Sequence, residues 1–261
     1  MSRRASSLVT SLGLFTILPV PPVAEIDRVQ AGRAMRAFPL VGALLGLAAA
    51  AVFWGADRLG APLLGAVGAL AVLSGLTGGL HLDGVADTAD GLGSRKGPDE
   101  ALAIMKRSDI GPMGVITLLF VLLAEVTALA SVASVRWAAL ALVVGPMVGR
   151  LAVVFSTTSS RPTARPGGFG ALFHGVTSPV SAAANALAVT AVAVGGGWWA
   201  SGWRGALLMG VAGLLALCFG RLWENHLRHR FGGLTGDSFG SMIELTQLVV
   251  LVLSGLCAGL L

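Results

Sequence analysis

Residues 113–135 read MGVITLLFVLLAEVTALASVASV, with a single charged residue, Glu125. A helix that crosses a bilayer needs about 20 mostly apolar residues. This run meets that length, so the sequence predicts a membrane span here. The same pattern recurs on both sides of it. Further spans are expected at about 37–57, 61–80, 137–157, 178–199, 204–220 and 241–261, making seven. The segment 7–22 is also apolar, but Pro19, Pro21 and Pro22 interrupt it. Proline removes a backbone donor and breaks a helix, so this piece reads as re-entrant or interfacial. It mimics a signal peptide after Arg3 and Arg4. The prolines, followed by Arg28, Arg33 and Arg36, argue against cleavage.

Composition agrees with that reading. Of 261 residues, 55% are hydrophobic and 12% are charged, and the mean hydropathy is +0.82. Globular proteins carry about 25% charged residues. A chain this poor in charge cannot cover a water-facing surface. The expected fold is therefore all-α, a polytopic helical membrane protein in a single domain over 1–261. The 37 glycines fit membrane helices, where they let backbones approach closely. The net charge of +5 does not point to nucleic acid. No basic stretch is interleaved with aromatics, and Lys and Arg sit at the ends of apolar segments. Cys218 and Cys257 lie inside apolar runs, with no CxxC or metal spacing.

The basic residues also set an orientation. With the N-terminus inside, 15 of the 18 Lys and Arg fall on one side and only Arg58, Arg136 and Arg204 on the other. Positive charge stays cytoplasmic. Three long loops, 81–112, 158–177 and 221–240, are then expected on the cytoplasmic face of the cell inner membrane. Ordered loops on a rigid scaffold commonly carry function.

The first of these opens with His81-Leu82-Asp83-Gly84-Val85-Ala86-Asp87-Thr88-Ala89-Asp90-Gly91. Asp83, Asp87 and Asp90 stand at i, i+4 and i+7, one face of a helix. Three like charges there repel one another, and a divalent cation would offset the repulsion. Carboxylate oxygens suit Mg²⁺, which commonly binds through one or two carboxylates plus substrate phosphate. The alternative is a solvated acidic loop. The last loop carries Leu234-Thr235-Gly236-Asp237 and, seven residues beyond, Glu244. Asp237 sits where a helix cap belongs. Glu244 lies one turn into an apolar span, where a carboxylate is a functional candidate. A Gly-Gly-Leu precedes both acidic segments, at 78–80 and 232–234, so the two could converge on one metal. Lys106, Arg150 and Arg165 are candidates to hold phosphate. Glu125 is either a buried structural residue or part of a polar path.

The Gly78–Gly91 string, read with Leu234-Thr235-Gly236-Asp237 and Glu244, closely resembles the cobalamin synthase family, the adenosylcobinamide-GDP ribazoletransferases. Further matching runs are Ile104–Gly114 and Ala164–Gly170, and the order of spans fits nearly the whole chain. Arg107 departs from the expected acidic residue, with Asp109 nearby. The resemblance implies a Mg²⁺-dependent transfer late in vitamin B12 assembly. The 3′-hydroxyl of α-ribazole, or of its 5′-phosphate, attacks the cobinamide-linked phosphorus of adenosylcobinamide-GDP, and GMP leaves. It implies Mg²⁺ on Asp83, Asp87, Asp90 and Asp237, with Glu244 completing the shell. One carboxylate or His81 would take the hydroxyl's proton. Arg150, Arg165, Lys106 and Thr235 would bind substrate. A homo-oligomer in the lipid bilayer is compatible with all of this.

Two rivals remain. A CDP-alcohol phosphotransferase would pair D-G-x-x-A-R with later aspartates, but no Arg occupies the matching place after Asp83-Gly84. An ion-coupled transporter would need carboxylates near the bilayer midplane, where Glu125 alone fits clearly.

Overall fold

The computed structural model describes residues 6–21, 26–158, 163–164 and 168–261. Helix α1 (Ser7–Phe15) is capped by the Ser6 hydroxyl and is too short to cross a membrane. It ends at Thr16 in extended backbone and packs on α2. This agrees with an interfacial or re-entrant piece. Helix α2 (Arg28–Arg58) starts well before the expected residue 37, because Asp27 caps it there by accepting from the Gln30 N–H at 2.8 Å. Helix α3 (Pro62–Leu76) opens on proline, whose missing N–H costs nothing at that position.

Gly78 and Gly79 follow, with φ of 63° and 75°, conformations glycine adopts without steric cost. They turn the chain through 89° into α4 (Leu80–Gly93). Helices α5 (Pro98–Ile104), α6 (Pro112–Ala130) and α7 (Val135–Ser156) come next, then the short α8 (Phe169–Leu172). Helix α9 (Pro179–Phe231) is a hairpin in disguise. Ser201 and Gly202 leave the helical region, with Gly202 at φ 65° and ψ −154°. Gly197 and Gly205 then face each other backbone to backbone. The two arms supply the expected spans 178–199 and 204–220. Helix α10 (Gly236–Leu256) closes the bundle.

Among the described residues five helices, α9 counted once, are long and apolar enough to cross a membrane, and the bent pair α3–α4 would be a sixth if it forms one broken span. With the turn in α9 this matches the expected set except at 61–80, where α3 is 15 residues long and the chain bends into α4. The core forms around α7, which packs on α2, α9 and α10. Helix α2 reaches it through Gly42, where an added Cβ would meet the Pro146 carbonyl oxygen at 2.5 Å. On the other side, Gly149 sits against Ile243 of α10. Small residues thus set the helix spacing, as in membrane bundles generally. Helix α6 instead turns Leu119 and Phe120 outward, and Trp198, Trp199 and Trp203 are exposed around the α9 turn. Such exposed apolar faces fit lipid, and the tryptophans fit an interfacial belt.

The expected long loops are mostly not loops. Residues 81–112 form α4 and α5, and α9 stays helical through Phe231. Part of 158–177, including Arg161 and Arg165, lies outside the described residues.

Candidate active site

The site begins where α4 crosses α10. Gly84 has no side chain to keep them apart: a Cβ there would meet the Asp237 carbonyl oxygen at 2.7 Å. Asp83 and Asp87 flank Gly84 along α4, so the two acidic segments come together as their sequences suggest. Asp237 is not the cap it was expected to be. Thr235 caps α10, its hydroxyl accepting from the Ser238 N–H at 3.1 Å, while Ser238 Oγ accepts from the Thr235 N–H at 3.2 Å. This reciprocal box leaves Asp237 in the first turn, where its Oδ2 accepts from the Thr235 hydroxyl at 3.3 Å. Thr235 therefore shapes the start of α10 and holds Asp237.

The three aspartates of α4 divide their roles. Asp83 is exposed and opens on a groove of about 760 Å³ beside Phe15, Ile17 and Ile110. Asp87 and Asp90 are half-buried in a second cleft of about 250 Å³ with Arg107 and Asp109. Asp90 turns to the start of α6, accepting from the Gly111 N–H at 2.6 Å and the Gly114 N–H at 2.9 Å. Both glycines are needed for that approach, since a Cβ on either would collide with the carboxylate. The positive end of α6 thus offsets part of the repulsion along α4. Asp90→Ala is expected to lower stability by about 1–2 kcal/mol through loss of these caps. Thermal unfolding of the purified variant checks this, with Asp90→Asn retaining part of the loss.

Glu244 does not join the aspartates. It is buried in the bundle within electrostatic reach of Arg150. Gln247 Nε2 lies 3.5 Å from Glu244 Oε1 and donates to Glu125 Oε1 at 3.0 Å. Arg150 is 1% exposed. It donates to the Pro146 carbonyl at 3.1 Å and lies 5.5 Å from the Phe38 ring centroid. Two turns of α10 separate Glu244 from Asp237, which is why a shared helix face did not become a shared site. Among the described residues, no three His, Cys, Asp or Glu side chains gather as a metal cage. The five carboxylates expected to share one shell do not do so. Asp83 and Asp87 stand one turn apart on α4, and a cation held jointly with phosphate needs only one or two protein ligands.

His81 is buried, bordering both the Arg150–Glu244 cluster and an aromatic cavity. Lys106 is exposed just after α5. Sequence reasoning missed Glu224, which meets Arg221 at 2.6 Å and Arg228 at 2.7 Å. Burial pushes its carboxyl up, but the Arg228 and Arg221 guanidiniums outweigh that and hold it below the usual carboxylate range. Its i, i+3 and i, i+4 spacing from the arginines was the available signal.

Fold and site together define a polytopic membrane protein with a group of carboxylates at one end of a helical bundle. The chain belongs to the cobalamin-5-phosphate synthase family, whose model matches residues 7–255. An adenosylcobinamide-GDP ribazoletransferase of Frankia casuarinae is 42% identical, over 93% of this chain and 92% of the relative. One from Pseudomonas aeruginosa is 39% identical over 97% and 98%. Another, from Roseiflexus, is 35% identical over 92% and 86%. No solved structure matches the chain. The likeness read from the acidic strings thus holds over nearly the whole length.

Proposed function

We propose that the protein joins adenosylcobinamide-GDP to α-ribazole, or its 5′-phosphate, and releases GMP, in the nucleotide-loop step of vitamin B12 assembly. The observation that carries this reading is the family match over residues 7–255, in a chain whose two acidic motifs meet across Gly84. A new bond forms between the ribazole 3′-oxygen and the cobinamide-linked phosphorus. The bond from that phosphorus to the GMP oxygen breaks. The hydroxyl proton passes to a carboxylate of the site or to His81.

Asp83 and Asp87 would hold Mg²⁺ together with the substrate diphosphate, and the ion would neutralise charge on the departing GMP. Asp237, held by Thr235 at the start of α10, would add to the negative surface. In this reading the carboxylate end faces the cytoplasm, the side that collects 15 of the 18 basic residues.

Chelation tests the metal directly. Purified protein stripped with EDTA is expected to lose GMP release and to regain it when Mg²⁺ is restored. A rate unchanged by chelation would remove the metal from the account.

A further inference from the structure

Beside Asp237 lies a cavity of about 250 Å³ between α1, α2, α8 and α10. Five phenyl rings line it, those of Phe15, Phe38, Phe169, Phe173 and Phe239, beside aliphatic side chains. Phe15 and Phe38 lie 4.3 Å apart between centroids, and Phe169 and Phe173 4.9 Å. Phe173 meets Phe239 edge-on at 6.5 Å. Phe169 also sits over the first residue of α10, where a Cβ on Gly236 would approach its ring to 3.3 Å. The aromatic walls and the Asp237 carboxylate are therefore neighbours.

We infer that this cavity is the acceptor subsite and takes the dimethylbenzimidazole base of α-ribazole; the inference rests on the function proposed above. A flat, methylated bicycle is the shape that ring faces and edges accommodate. The space is far too small for a corrinoid. Guanine, the other planar base in the reaction, carries an amide and an amine that need several hydrogen-bond partners. Asp237 and His81 are the ionisable groups on the cavity wall. Buried polar edges left unpaired cost affinity, so guanine is disfavoured there. The glycosylated base of ribazole has one bare ring nitrogen and no N–H. His81 matches that demand, since its Nε2 is buried without a hydrogen-bond partner among the described residues. With the base lodged among the rings, the ribose lies toward Asp237 and its hydroxyl toward the carboxylates of α4.

The test uses the full chain in detergent. Equilibrium dialysis measures binding of α-ribazole and of GMP separately, and KM is measured for each substrate of GMP release. Two variants probe the cavity. Phe169→Ala removes a ring that is 44% exposed and so leaves the core intact. Leu14→Trp fills the cavity from the half-buried wall residue of α1. Each is expected to raise the Kd and KM for α-ribazole by about tenfold or more, Phe169→Ala by the usual worth of a base-stacking aromatic and Leu14→Trp by occupying the space. KM for adenosylcobinamide-GDP is expected to stay unchanged. A rise confined to adenosylcobinamide-GDP or GMP would assign the cavity to guanine and overturn the inference. Unchanged binding of both in active, monodisperse variants would mean a cavity that serves neither base, such as a lipid-filled one, and would also overturn it. If the parent chain released no GMP, the dialysis would still decide the cavity, while the proposed reaction would fail separately.

Discussion

The Asp83→Ala, Asp87→Ala double variant is expected to release GMP at least about 100-fold more slowly than the parent chain. Removing one preorganised group that stabilises transition-state charge typically costs about 100- to 1,000-fold in rate. Here both carboxylates proposed to hold the metal and the diphosphate are lost. The structure also separates this effect from misfolding. Asp83 is exposed on α4 and its side chain makes no hydrogen bond among the described residues, so Asp83→Ala alone is expected to slow the reaction without lowering the unfolding temperature. Asp90→Ala should behave in the opposite way, losing stability through the start of α6. The assay is initial-rate GMP release at saturating Mg²⁺, beside thermal unfolding of the same samples. Full activity in the double variant would take these aspartates out of the chemistry.

The second large effect concerns stability. Arg150→Met is expected to destabilise the bundle by about 1–3 kcal/mol, the usual cost of leaving a buried polar group without its partner. Arg150 is 1% exposed and lies within electrostatic reach of Glu244, so its loss removes the buried cation facing that carboxyl. The Arg150→Met, Glu244→Gln double variant is expected to regain much of that loss, since a neutral pair leaves no orphaned charge. Denaturant unfolding of the singles and the double measures the coupling. If Arg150→Met were fully stable but raised KM for the diphosphate substrate, Arg150 would be the phosphate holder that its position near an inner loop first suggested.

Those two residues mark the boundary of what the sequence tells. Apolar runs of the right length, separated by Lys and Arg, were enough to place the spans and to find the turn near 200–203. Hydropathy measures that directly. The acidic strings were equally readable, because carboxylates beside a membrane span stand out against their surroundings. Side-chain direction was less readable. Asp237 and Glu244 share a face of α10, but that face runs from the cleft into the bundle, so Asp237 lies where the backbone meets α4 while Glu244 lies within electrostatic reach of Arg150. Asp90 looked like its neighbours until the start of α6 came against it. Residues 81–112 looked like a loop because their polarity masks a helix: α4 carries His81, Asp83, Thr88 and Asp90 yet stays helical between Gly79 and Ser94. The aromatic cavity was invisible, since its phenylalanines come from positions 15, 38, 169, 173 and 239 and meet only in the fold.

The central claim is that this chain transfers a cobinamide phosphate to ribazole. The most direct measurement gives purified protein adenosylcobinamide-GDP with Mg²⁺, with and without α-ribazole, and follows GMP and the corrinoid product by mass spectrometry. The account predicts GMP only when α-ribazole is present, in equal amount to a corrinoid that has gained the ribazole mass. GMP released without acceptor, or no product from a folded, monodisperse sample, would contradict it.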